Sequence, residues 1–139
     1  SYGDERFNPK LIVGDKVSFQ QNCHVTFAGQ LEIGAGSSIM YNVLLTDIDH
    51  DYDACMPVLD QPIRVELTRI GRDCFIGAGA KIQAGATLGD HCVVGANAVV
   101  RGSFPDHSVI AGVPARIIKR RDPETGKWLK TNTEGEFLT

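Results

Sequence analysis

From Ile70 to Val100 a branched aliphatic residue returns at every sixth position: Ile70, Ile76, Ile82, Leu88, Val94 and Val100. An α-helix repeats its apolar face about every 3.6 residues and a half-buried strand about every second residue, so neither produces a clean six. A second column runs four residues past the first, through Cys74, Ala80, Ala86, Cys92 and Ala98 to Phe104. The residue directly after each aliphatic is Gly71, Gly77, Gln83, Gly89, Gly95 or Arg101. Each hexad therefore holds one bulky inward residue, one residue read as the tight turn, and one small inward residue. This pattern predicts a short strand and a corner, repeated around a prism. A single flat face cannot bury itself, so the coils must stack about 4.8 Å apart and pair their backbone groups coil to coil. The competing reading is a glycine-rich β-sandwich, which has no reason to keep successive hexads in register.

Earlier in the chain the same spacing appears less perfectly. Val13, Phe19 and Val25 are six apart, with Val17 and Cys23 at the small positions. A two-residue slip follows, and Ile33, Ile39 and Leu45 resume the period. It then stops for "TDIDHDYDACMPVLDQPIRVELTR", residues 46–69, which is too long and too charged for a corner. A long interruption in a tightly periodic scaffold is usually functional. After Phe104 the strict period is lost. "DPETGKW" reads as a turn between "RIIK" and "KWLK", giving a terminal β-hairpin or arm, and the final "TNTEGEFLT" reads as polar and frayed. The expected organisation is one domain over 1–139, with an interrupting loop at 46–69 and a C-terminal arm at 115–139.

Composition narrows the partners. A formal net charge of −3 gives no bulk attraction to nucleic acid or to an anionic membrane, although basic residues gather in "ARIIKRR", where a local anion site is open. No apolar run approaches the roughly 20 residues of an integral membrane segment. No signal peptide opens the sequence, and its first residue is serine, as in a processed or trimmed product. The spacings of Cys23, Cys55, Cys74 and Cys92 match neither a zinc knuckle nor a redox pair. Cys23, Cys74 and Cys92 fall on small inward positions, as reduced core residues of a cytoplasmic protein would. Cys55 lies in the loop.

Hexads of the form I-G-x-x-A-x, a histidine-bearing interruption, and "VVGANAVVRGSFPDHSVIAGVPARIIK" together resemble the hexapeptide-repeat acyltransferases, over roughly residues 10–120. Within them Ile33 to Lys119 is similar to the sugar O-acetyltransferases, the branch holding maltose and galactoside acetyltransferases and the enzymes that acetylate lipopolysaccharide and capsule sugars. The resemblance implies an all-β fold, a left-handed parallel β-helix. It implies a homotrimer with active sites between neighbouring prisms and the loop reaching the adjacent subunit. It also implies acetyl-CoA as donor, a sugar or sugar-containing acceptor, and no metal.

Acetyl transfer to a hydroxyl needs a base, since the alcohol is a poor nucleophile until its proton has somewhere to go. An imidazole, with a reference pKa of about 6.5, can take it near neutral pH, and such positioned bases contribute about 10²–10⁴-fold. His50, in the interruption, matches the family's catalytic histidine; His24, His91 and His107 fall at outward corners and read as surface residues. Of Asp47, Asp49, Asp51 and Asp53, either one orients the imidazole or all form a solvated acidic loop. A calcium loop fails because Tyr52 takes the glycine position and Val58 the glutamate position. The family's early asparagine falls at Gln20, with Asn22 two residues on, so the amide survives with a different reach. For acetyl-CoA the resemblance implies lining by Ala78 and Ala96, with Phe75 where the family has tryptophan. A family serine falls at Ala78, which leaves oxyanion stabilisation to backbone N–H groups. Pro114 matches the adenine contact, and Arg116 and Lys119 match the phosphate contacts. Arg101 is the substitute for a family lysine whose position is Gly102. As an alternative this basic cluster is a solvated face.

Other functions remain open on these residues. A γ-type carbonic anhydrase shares the prism but needs an H-x4-H pair, whereas His91 and His107 are 16 apart. A non-catalytic trimeric scaffold and an amino-sugar N-acetyltransferase are the remaining alternatives.

Overall fold

A computed structural model describes residues 8–138; the expected domain 1–139 and arm 115–139 include residues 1–7 and 139, which lie outside the described residues. The sixfold columns resolve into three flat faces. The first stacks β1 (Lys10–Val13), β4 (Gln30–Ile33), β9 (Thr68–Ile70), β12 (Thr87–Leu88) and β15 (Ser103–Phe104). The second stacks β2 (Ser18–Phe19), β5 (Ser38–Ile39), β10 (Phe75–Ile76), β13 (Val93–Val94) and β16 (Ser108–Gly112), and continues into β17 (Ala115–Arg121) and β18 (Trp128–Lys130). The third holds β3 (His24–Thr26), β6 (Leu44–Thr46), β11 (Lys81–Ile82) and β14 (Val99–Val100). A separate pair, β7 (Ile48–His50) and β8 (Ile63–Val65), stands outside the prism.

Stacking is parallel and in register. Ile70 faces Ile33 and Leu88, Ile76 faces Ile39 and Val94, and Ile82 faces Leu45 and Val100. Every one of these side chains is buried, as is the small column of Cys74, Ala80, Ala86, Cys92 and Ala98 between them. The parallel β-helix is thus the expected architecture, and no α-helix occurs among the described residues. In the first coil Val13 and Phe19 keep about two-fifths of their surface exposed, because no described coil lies beneath them.

Two details of the repeat differ from the sequence reading. The turn residue is not the one after the aliphatic but the one three past it: Asp73, Gly79, Gly85, His91 and Asn97 all have positive φ. Asparagine, aspartate and glycine tolerate that region best. The glycine after the aliphatic serves close approach instead; a Cβ on Gly77 would stand 2.6 Å from the Val94 carbonyl oxygen and 2.8 Å from the Ala96 nitrogen. Second, Phe104 is not in the small column. It faces Leu88 in the bulky one, because the corner after Val100 is two residues short and turns at Gly102, φ +94°. From there the period continues, with Ser108 buried in the small position and Ile110 facing Val94.

All the irregular spacings fall at one corner, between the third face and the first. The slip from Val25 to Ile33, the interruption from Leu45 to Ile70 and the shortening from Val100 to Phe104 all occur there. Only the passage from Ile82 to Leu88 keeps six residues. Beyond the prism, β16 turns back antiparallel into β17 through the cis Val113–Pro114 peptide, and β17 pairs antiparallel with β18 across the "DPETGKW" turn. The tail is not frayed through residue 138: Thr131 bridges Phe137, and the Asn132 side-chain oxygen accepts the N–H groups of Glu134 and Glu136.

Candidate active site

The interruption at 46–69 is a hairpin fixed at its base. The strands β7 and β8 pair antiparallel, with His50 opposite the buried Ile63. Asp47 is fully buried and its two oxygens accept the N–H groups of Ala28 and Gly29, each at 2.9 Å. Those two residues form the earlier slip, so one irregularity anchors the other. On the other side Thr68 donates its hydroxyl to the Thr46 carbonyl at 3.0 Å and accepts the Gly85 N–H at 3.0 Å. Near the tip, buried Gln61 accepts the Ala54 N–H and donates to the carbonyls of Ala54 and Met56. Tyr52 and Leu59 remain open to solvent there, 68% and 83% exposed.

His50 is half-buried at the end of β7. Its Nδ1 is shielded from solvent and has no partner among the described residues, while its backbone N–H donates to Asp49 Oδ1 at 2.9 Å. Asp49 Oδ2 accepts Arg101 Nη1 at 3.0 Å and Arg64 Nη2 at 3.4 Å. Burial works against the Asp49 charge, yet the His50 N–H and the two guanidinium groups outweigh it and hold this carboxyl below the usual range. The remaining nitrogens of Arg101, Nε and Nη2, both donate to Gln83 Oε1, at 3.1 and 2.7 Å. Asp51 pairs with Arg64 Nε at 2.9 Å and Asp53 is exposed. None of the four aspartates bonds the imidazole. Nor do they form a uniform solvated loop, since Asp47 is a buried anchor and Asp49 a bridged one.

The residues expected at acetyl-CoA occupy the neighbouring corner, between the second and third faces. Gly77 bonds to the Val94 carbonyl and Gly95 to the Ile110 carbonyl, which stacks Ala78, Ala96 and Gly112 one coil apart, all exposed. Phe75 projects from β10 beside this ridge and is 43% exposed. The ridge runs into exposed Pro114, then Arg116 opposite Ala111 and Lys119 opposite Val109. Gln20 and Asn22 are exposed on the first coil of the same corner. Arg101 is not on the ridge; it sits at the hairpin corner with His50. Within one chain, then, the expected base and the expected donor groove lie on different corners.

Elsewhere, His24 and His91 are exposed as expected. His107 is half-buried, stacked on His91 with centroids 5.0 Å apart and edge-on to Trp128, so it is part of the arm's seat rather than free surface. The four cysteines are free. Cys74 is buried, and a hydrogen bond with the free Cys92 thiol and its desolvation push its own thiol up. A shallow groove of roughly 490 Å³ crosses the first face among Glu32, Arg69, Arg72, Asp90 and Asp106, and contains none of the expected site residues. Among the described residues no three histidine, cysteine or acidic side chains gather as metal ligands, and no helix is long and apolar enough to cross a membrane.

Known proteins share the repeat. The family "Bacterial transferase hexapeptide (six repeats)" matches residues 67–102. The putative acetyltransferase YvoF of Bacillus subtilis (strain 168) is 30% identical over 127 residues, which cover 90% of this chain and 69% of YvoF. The chain belongs to the bacterial hexapeptide-repeat transferases. Two further relatives of this hexapeptide-repeat transferase are longer. The probable acetyltransferase Rv3034c of Mycobacterium tuberculosis is 36% identical over 122 residues, 86% of this chain and 38% of its own length. The putative lipopolysaccharide biosynthesis O-acetyl transferase WbbJ of Escherichia coli (strain K12) is 32% identical over 128 residues, 86% of this chain and 65% of WbbJ. The chain thus spans less than two thirds of either. Among solved structures, the hexapeptide-repeat-containing acetyltransferase VCA0836 of Vibrio cholerae superposes with a TM-score of 0.73 at 26% identity, over 79% of this chain and 62% of that one. A galactoside acetyltransferase in complex with coenzyme A shares the fold at 20% identity, with a TM-score of 0.62 over 93% of this chain and 74% of that one.

Sequence reasoning singled out His50 and Ala78, Ala96 and Phe75 as expectations, and did not single out Asp47 as an anchor, Gln61 or Gln83. Asp47 had a signal, the unexplained slip at residues 28–29 on the adjoining coil. Gln83 had one too, as a polar residue in a column otherwise rich in glycine.

Proposed function

We propose that this hexapeptide-repeat transferase is an acetyl-CoA-dependent O-acetyltransferase that modifies a sugar hydroxyl, with His50 as general base. The observation that carries this reading is the hairpin. A buried carboxylate and a buried threonine fix its base, and it presents an imidazole whose Nδ1 has no partner among the described residues. A residue whose backbone is fixed and whose ring nitrogen is left unsatisfied is suited to a proton acceptor whose orientation is completed by something outside the chain.

Acetyl-CoA, as donor substrate, supplies the activated acyl carbon. Ala78, Ala96 and Gly112 form a ridge with little side chain, on which a slender arm can approach backbone. Phe75 flanks it, and Pro114, Arg116 and Lys119 stand at its end where adenine and phosphate contacts are needed. The exposed N–H groups of that corner are the available oxyanion donors, since Ala78 has no hydroxyl. His50 takes the proton of the attacking hydroxyl as its oxygen bonds to the acyl carbon, the thioester C–S bond breaks, and the proton passes to the departing CoA thiolate; holding both reactants in one cleft supplies the entropic part of the acceleration.

Because His50 and the ridge occupy different corners, a site that uses both is built between two copies. A homotrimer places each corner beside the next subunit's. The exposed Tyr52 and Leu59 at the hairpin tip support a loop that reaches across. The names of WbbJ and of the galactoside enzyme support a sugar acceptor, and for this chain a role in bacterial surface polysaccharide synthesis. Its free thiols fit a reducing, cytoplasmic compartment.

The test is thiol release from acetyl-CoA with a panel of sugars and sugar nucleotides, for wild type and His50→Ala. The proposal expects turnover with a hydroxyl acceptor and a loss of about 10²–10⁴-fold in the variant, with its assembly unchanged. Unchanged turnover in His50→Ala contradicts the base assignment, and turnover confined to amino sugars contradicts the O-acetyl assignment.

A further inference from the structure

We infer that Arg101 is a positioning residue for the reaction: it ties the Asp49–His50 segment of the hairpin to the prism corner, rather than meeting the donor's phosphates. The inference rests on the reading of His50 as base and adds to it the device that holds the imidazole in place.

The geometry is specific. Arg101 stands two coils above Thr46, where the hairpin leaves, and 52 residues from Asp49 in sequence. Three of its nitrogens are committed: Nη1 to Asp49, Nε and Nη2 to Gln83. Gln83 occupies the same corner one coil below, since Ile82 faces Val100. The guanidinium therefore links two coils of the rigid prism to one carboxylate of the hairpin. That carboxylate spends its other oxygen on the His50 N–H. A shift of Asp49 is thus passed directly to the backbone that carries the imidazole. Arg64 braces the same carboxylate from within the hairpin and also holds Asp51, but it moves with the hairpin and cannot fix it to the prism.

Two physical points separate this role from a merely structural one. Arg101 and Asp49 are 51% and 27% exposed, and pairs so placed contribute little to folding. The hairpin's stability rests on Asp47 and Thr68 instead. Loss of Arg101 should leave the fold intact and loosen only the position of His50. Moreover, only a planar fork can serve Gln83 and Asp49 together. Lysine can reach one acceptor as a point charge but does not reproduce the bridge.

The experiment compares wild type, Arg101→Ala, Arg101→Lys, Asp49→Ala and the double variant Arg101→Ala/Asp49→Ala, measuring kcat, the KM for acetyl-CoA and hydrogen exchange of the His50 amide. A 1 Å misplacement of a reacting group can cost up to about 10²-fold, so Arg101→Ala is expected to lower kcat by about 10- to 100-fold. Its acetyl-CoA KM should stay within about twofold of wild type on the same positioning argument. Exchange at His50 should quicken, Arg101→Lys should fall between, and the double variant should be no worse than Asp49→Ala. A rise in acetyl-CoA KM at unchanged kcat, with His50 exchange unaltered, overturns the inference and returns Arg101 to the phosphates. Failure of the underlying reading is distinguishable, because His50→Ala would then keep its turnover while the exchange measurement still reports whether Arg101 holds the hairpin.

Discussion

Asp47 and Asp49 stand two residues apart and have different tasks. Asp47 is sealed against the Ala28 and Gly29 amides, and removing it leaves one buried and one part-buried N–H group without an acceptor. Each orphan costs about 1–3 kcal/mol, so Asp47→Ala is expected to lower stability by at least that much in chemical denaturation. Asp49 is bridged to Arg101 and Arg64 at the surface rather than sealed inside. Its folded pKa is depressed, so its contribution is fully present above the ordinary value of 3.8 and disappears as pH falls through the lower folded value. The difference in melting temperature between wild type and Asp49→Asn should accordingly hold constant from about pH 8 to pH 5 and shrink only below about pH 4. A difference that fades near neutrality would show that other groups dominate. The sequence placed four aspartates around His50 but could not rank them. Their separate fates depend on which coil each one meets, and that is set by the slip at residues 28–29 rather than by the loop's own residues.

At the level of the coil, spacing of six was enough to read the stacked prism, the bulky column and most of the small one. The turn was misread because glycine serves two needs in the same hexad. Gly77 is required for close approach and Gly102 for its backbone angle, as nothing lies within 4 Å of a Cβ there. Gly102→Ala should therefore cost only the left-handed penalty of about 1–2 kcal/mol. Gly77→Ala has to displace the backbone of the next coil and should cost more in the same urea titration; equal costs would contradict the assignment of roles. The shortened corner before Phe104 was illegible for a different reason. A two-residue deletion leaves an apolar residue four past Val100, which fits the small column until the facing Leu88 is seen.

For the whole molecule the decisive arrangement is one of corners. Every irregular spacing between coils lies on the corner that bears His50, and the ridge of Ala78, Ala96 and Gly112, where the chain finally turns back into its arm, lies on the next. The family and fold were legible from the repeat, while His50 and a site between prisms were what the resemblance implied; which corner each side chain occupies was not legible, because it follows from how many hexads fill a coil before the hairpin departs. Arg101 shows the same limit, since its position in sequence suggested the groove and its corner joins it to the hairpin. The central claim is that each site takes its base from one chain and its groove from another. It is tested by co-expressing His50→Ala and Ala78→Trp chains with different tags, isolating assemblies that carry both, and measuring acetyl-CoA thiol release. Each variant alone should be inactive, and a closed mixed trimer should recover about one third of the wild-type rate, having one intact junction among its three. Mixed assemblies as inactive as their parents would contradict the account.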